Sequence, residues 1–117
     1  ICYWVGCLKP MDSEWLRFLH CLVWSIGRVD EWVLHRIVYE LSRENIVEIN
    51  NWVWFGDSPR SAEVDASIAL LEMLGLLAGE DGVVKAVKEP VGECVLDNRV
   101  RNVVEKVLRG KVVRVTS

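Results

Sequence analysis

Residues 61–87 read SAEVDASIALLEMLGLLAGEDGVVKAV, and this stretch decides the fold. Val64, Ile68, Leu71 and Leu74 recur at the spacing of one helix face, and Gly75 stops the pattern. Leu76 and Leu77, the turn Gly79-Glu80-Asp81-Gly82, and the β-prone residues 83–87 then spell strand, turn and strand. With two amphipathic helices upstream, this order predicts an α+β fold of the winged-helix kind. It comprises a three-helix core, a short strand, a C-terminal β-hairpin wing, and here an additional C-terminal helix.

Upstream, Asp12 or Ser13 caps a helix whose Trp15, Leu16, Leu19, Leu22, Val23 and Ile26 form one broad face before Gly27 ends it. Arg28-Val29 is a short link in which a stub strand fits. Asp30 caps a second helix, with Trp32, Val33, Ile37, Val38 and Leu41 on its apolar side and His35, Arg36, Glu40, Arg43 and Glu44 largely opposite. After Asn50-Asn51, Trp52-Val53-Trp54-Phe55 is too short and too β-prone for a helix and reads as a short strand. Downstream, Pro90 and Gly92 break the chain. Asp97 then caps a helix carrying Val100, Val103, Val104, Val107 and Leu108, with its end expected at Gly110. Met11-Asp12-Ser13 directly precedes the first helical pattern. Residues 1–10 therefore read as an N-terminal extension, residues 11–92 as the winged-helix domain, and residues 93–117 as a C-terminal amphipathic helix and tail.

Composition excludes several classes. Half of the 117 residues are apolar and a quarter charged, which is too hydrophobic for disorder. No uncharged apolar run reaches the ~18 residues that cross a bilayer, and residues 1–10 lack the basic start and small-residue cleavage site of a secretory signal. A cytoplasmic protein with no membrane partner is expected. Cys2, Cys7, Cys21 and Cys94 have neither zinc-ligand spacing nor the density of a disulfide scaffold, so reduced thiols are the expectation. The chain has no Gln, one Thr and twenty Val, a bias that points to a heat-adapted source. Its net charge of −3 hides an asymmetry: residues 1–82 carry six Lys/Arg against thirteen Asp/Glu (−7), and residues 83–117 carry eight against four (+4).

Catalytic chemistry has no foothold in the pattern. His20 and His35 fall on different helices, and Cys21 diverges by roughly 100° from its neighbour His20. Ser58 and Ser61 lack a Gly-flanked elbow, and no Gly-rich phosphate loop occurs. No catalytic residue, metal ligand or cofactor is expected.

The segment Phe55-Gly56-Asp57-Ser58-Pro59, the helix beyond it with its ending Leu74-Gly75-Leu76, and Leu34-His35-Arg36-Ile37-Val38-Tyr39 together resemble the Panacea domain family. That family includes SocA-like antitoxins. Asp57 stands where its members carry Pro, and Arg36 where they carry Lys. The resemblance covers about residues 30–80 and implies an adaptor that grips another protein without catalytic residues.

The third helix also bears on function. DNA-reading helices present Arg, Lys, Asn or Gln to phosphates and base edges, whereas residues 61–74 offer Glu63, Asp65, Ser67 and Glu72 and no basic residue. The reading is a non-enzymatic protein–protein adaptor or regulator, with Trp52, Trp54, Phe55 and Arg60 at the partner contact. The alternative is a transcriptional regulator that contacts DNA through the wing and the basic C-terminal third, at Lys85, Lys88, Arg99 and Arg101. Val100, Val103, Val104, Val107 and Leu108 are the expected seam of a homodimer.

Overall fold

Asp30 shows how local chemistry starts an element in this chain: its carboxylate accepts hydrogen bonds from the Trp32 and Val33 amides, 2.8 and 3.4 Å, and opens a helix. The computed structural model describes residues 12–116, with side chains described through residue 110, so the expected extension at residues 1–10 lies outside it. Among these residues the chain forms four helices and two small antiparallel sheets. Helix α1 spans Ser13–Ile26, strand β1 Arg28–Asp30 and helix α2 Glu31–Arg43. A hairpin follows, β2 (Trp52–Phe55) and β3 (Ser58–Ser61), and then helix α3 (Ala62–Met73). A second hairpin, β4 (Leu77–Glu80) and β5 (Val83–Ala86), leads to helix α4 (Asn98–Thr116).

Both long-range sheet contacts and local turn chemistry follow from identifiable residues. The first sheet has the order β1-β5-β4, with Val29 opposite Val84 and Gly79 opposite Val84 on its other side. Its turn places Asp81 and Gly82 at φ +55° and +78°, the two positive values that a tight type I′ connection needs and that Asp-Gly supplies at low cost. The other hairpin turns through Gly56-Asp57, with φ +65° at Gly56. Two helices end alike. The Leu76 amide returns to the Leu71 carbonyl and the Gly75 amide to that of Glu72. The Ile46 amide returns to Leu41, and that of Asn45 to Ser42. Gly75 and Asn45, at φ +77° and +61°, are the left-handed residues of these Schellman endings.

One core gathers Trp15, Leu19, Leu22 and Val23 of α1, Leu34, Ile37, Val38 and Leu41 of α2, and Val64, Ile68 and Leu71 of α3. Val29, Leu77 and Val84 of the first sheet join it, as do Val47 and Ile49 of the loop before β2. The Trp15 indole donates to the Ser67 hydroxyl, 2.8 Å, and that hydroxyl donates to the Glu63 carbonyl, 2.7 Å, so two polar groups enter the core already satisfied.

Several expectations are corrected. Trp52–Phe55 is a strand, but its partner β3 was not anticipated, since Ser-Pro-Arg-Ser carries no apolar alternation. α2 buries Ile37, Val38 and Leu41 as expected but departs at two positions: His35 is fully buried, while Trp32 is 39% exposed. α4 continues past Gly110 to Thr116, because a glycine costs a helix only about 1 kcal/mol when nothing after it demands a left-handed turn. The valine seam of α4 faces inward. Val100 and Val103 are buried in the common core, and Val104 and Val107 pack against it, while Leu108 alone of the five is exposed. Finally, Cys21 and Cys94 form a disulfide across 73 residues, with Cα atoms 5.4 Å apart, in place of the expected reduced thiols. A separation of that length leaves no trace in local spacing.

No helix among the described residues is long and apolar enough to cross a membrane.

Candidate functional site

Trp32, Arg36 and Tyr39 stand at i, i+4 and i+7 on α2 and form a stripe on which the β2–β3 hairpin is laid. Tyr39 meets both Trp52 and Trp54 edge to face, with ring centroids 5.4 and 5.0 Å apart. Phe55 meets Trp32 in the same manner at 5.6 Å. Between them Arg36 donates to the Asp57 carbonyl, 3.0 Å, pairs with Glu40, 3.3 Å, and lies beside the Tyr39 ring. The hairpin is therefore clamped along its length. Its outer surface is nonetheless apolar: Val53, Trp54 and Phe55 are 57%, 48% and 56% exposed.

Beside this patch runs a groove of about 520 Å³, lined by Trp32, Val33 and Arg36 of α2, Ser58 and Pro59 of β3, and Lys106 and Val107 of α4. Trp32 belongs to both the groove wall and the aromatic cluster, so patch and groove form one continuous surface.

Arg60 anchors that surface from beneath. Its guanidinium donates to both oxygens of Asp65, at 3.0 and 2.9 Å, and to Glu31 at 2.8 Å, and it covers the Trp32 ring at 4.5 Å. Hydrogen bonding to Asp65 raises the Arg60 pKa above its ordinary value. Burial alone would raise that of Asp65, but hydrogen bonds from Arg60 and His35 outweigh it and hold the carboxyl below its usual range. His35 completes the chain. The Ser61 amide donates to His35 Nδ1, 3.2 Å, so Nδ1 is the unprotonated nitrogen and Nε2 carries the hydrogen given to Asp65, 3.0 Å. Burial pushes the His35 pKa below its ordinary value, with the Asp65 contact opposing.

Ser61 meets this Asp-His pair through its backbone amide. The Ser61 hydroxyl donates to Asn51 and accepts the Glu63 amide at the start of α3, so it serves as a helix cap. Among the described residues no cluster of His, Cys, Asp or Glu has the makings of a metal site.

The expected partner residues thus divide. Trp54 and Phe55 are exposed on the patch, whereas Trp52 is half-buried with its indole donating to the Ile49 carbonyl at 2.8 Å, and Arg60 is committed to internal ion pairs. Trp32, Arg36 and the buried Pro59 line the groove and were missed. The i, i+4, i+7 spacing of Trp32, Arg36 and Tyr39 was the available signal. The expected DNA contacts are all exposed but ride on separate supports: Lys85 on β5, which packs on β1, β4 and α1, and Arg99 and Arg101 on α4, which packs on α2. Lys88 follows β5, where its carbonyl accepts from His20 Nε2, 2.8 Å. Arg28 stands directly across the sheet from Lys85. Neither side chain has an ion pair among the described residues.

No family model, no curated protein and no solved structure matches the chain.

Proposed function

We propose that this chain is a winged-helix module that binds another protein, acting as an adaptor or regulator without catalysis, through Trp32, Trp54 and Phe55 and the groove beside them. The observation that carries the reading is the half-exposed aromatic surface of β2–β3, held rigidly against α2 and continuous with a groove. Aromatic side chains fixed in place before binding lose little entropy on association, and such residues dominate interface energies. The helix-strand-helix-helix-hairpin order and the sheet order β1-β5-β4 support the winged-helix assignment, with β2–β3 as an insertion before α3. The Phe55-to-Pro59 part of the Panacea-like motif falls on this insertion, as the last residue of β2, the turn and the first two residues of β3.

A second reading, DNA contact through the β4–β5 wing, draws on the juxtaposed Arg28 and Lys85, since like charges placed opposite each other gain when an anion lies between them. The two readings separate on one set of variants. Phe55→Ala should weaken binding to a recovered protein partner by about tenfold or more, with Lys85→Ala neutral. The reverse ranking, measured on duplex DNA, would favour the second reading.

A further inference from the structure

α3 is apolar on two sides. Val64, Ser67, Ile68 and Leu71 point into the chain's own core, yet Ala62, Ala66 and Ala69 are exposed, and Met73 is 84% exposed. These four follow the spacing 4, 3, 4, which is the repeat of a helix-packing seam. Three alanines let a second backbone approach closely, while Met73 and the 58% exposed Leu74 supply larger contact at the C-terminal end. A helix serving only its own fold would carry polar residues along that outer line.

The flanks of the seam identify what fits it. Glu63 lies on one side, and Asp65 and Glu72 lie on the other, in the positions that select a partner helix by charge. Asp65 is neutralised by Arg60. Glu63 and Glu72 have no ion pair among the described residues. The Glu72 carboxylate lies against Gly79, which places it beside the β4–β5 hairpin, whose turn adds Glu80 and Asp81. We infer that α3 is a second docking face, separate from the aromatic patch, and that its occupant is an amphipathic partner helix with apolar residues on the seam and Lys or Arg on both flanks. A second copy of α3 does not fit, because acids would meet acids whichever way the two helices ran. Nucleic acid does not fit for the same electrostatic reason.

The test uses the full chain and two designed helical peptides of about 20 residues, identical along a Leu/Ala seam but flanked by Lys in one and Glu in the other. NMR of the Met73 methyl and the Ala66 and Ala69 amides reports binding at the seam, and the Trp54 and Phe55 signals report the other surface. The Lys peptide should perturb the α3 signals and bind at least about tenfold more tightly than the Glu peptide. Met73→Lys, at a position exposed enough to leave folding intact, should abolish that binding. The double variant Glu63→Lys/Glu72→Lys should invert the preference between peptides. Equal binding of both peptides, no α3 perturbation at about 1 mM peptide, or shifts confined to Trp54 and Phe55 would each overturn the inference. So would α3 signals that depend on protein concentration alone, since these would make a second copy the occupant. Failure here leaves the aromatic-patch reading standing, because that reading rests on different residues and a different signal.

Discussion

His35 holds two hydrogen bonds of opposite sense, accepting from the Ser61 amide and donating to Asp65, and the first of them requires the neutral ring. Its depressed pKa makes stability depend on pH with a definite sign. The unfolded chain takes up the proton first, so the contribution is complete above the ordinary value of 6.5 and is lost as pH falls from there toward the lower native value. Asp65 adds a second window: its contribution is present above the ordinary 3.8 and is lost as pH falls through the native value below it. Chemical denaturation followed from about pH 8 to about pH 5 should therefore show a falling midpoint below about pH 6.5. His35→Gln, which keeps an acceptor and a donor but no titrating group, should flatten that fall while costing about 1–3 kcal/mol at neutral pH through imperfect hydrogen bonds. The sequence placed His35 on the polar side of α2 because it was counted as polar. Its burial depends on Ser61 and Asp65, 26 and 30 residues away, and no local period contains that information.

Residues 87–97, between β5 and α4, form no regular element, yet they are held to one face of α1 by three residues at i, i+3 and i+4. Arg17 donates to the Glu93 carbonyl, His20 donates to that of Lys88, and Cys21 is joined to Cys94. The disulfide closes a loop of 73 residues, which the chain-entropy account values at up to about 4 kcal/mol. Cys94→Ala, or reduction of the native protein, should lower unfolding free energy by about 2–4 kcal/mol in thermal or urea denaturation. An unchanged midpoint would mean that the hydrogen bonds and buried Pro90 hold the segment alone. Such a bond persists in oxidising compartments and in the cytoplasm of heat-adapted cells. At this scale α1, β1, the Asp30 and Asp97 caps and the β4–β5 hairpin were legible, because each is written in local residues. β3 was not: Pro59 and Arg60 become strand through pairing with Trp54 and Val53, a tertiary contact that no propensity supplies.

Among the described residues, acidic side chains gather on α3 and the turn of the β4–β5 hairpin, and basic ones on α4, with Lys85 on β5. Opposed fields of this kind orient a charged partner more than they hold it. For DNA they act against each other, since the helix that would enter a groove carries Glu63 and Glu72. Duplex DNA titrated at about 50 mM salt should therefore bind no more tightly than about 10 μM, with little further loss at about 200 mM. Of the candidate site, the aromatic run at β2 was legible as unusual sequence. The groove was not, since it is assembled from α2, β3 and α4, three elements distant in sequence.

The most direct measurement is site-specific photocrosslinking in cells of the source organism, with a photoreactive residue at Val53 on the hairpin and, for comparison, at exposed Ser25 on α1. The interaction-module account predicts a discrete protein adduct from Val53 that is absent from Ser25 and is lost when Trp54→Ala is introduced. Identical adducts from both positions, or none from Val53, would contradict it.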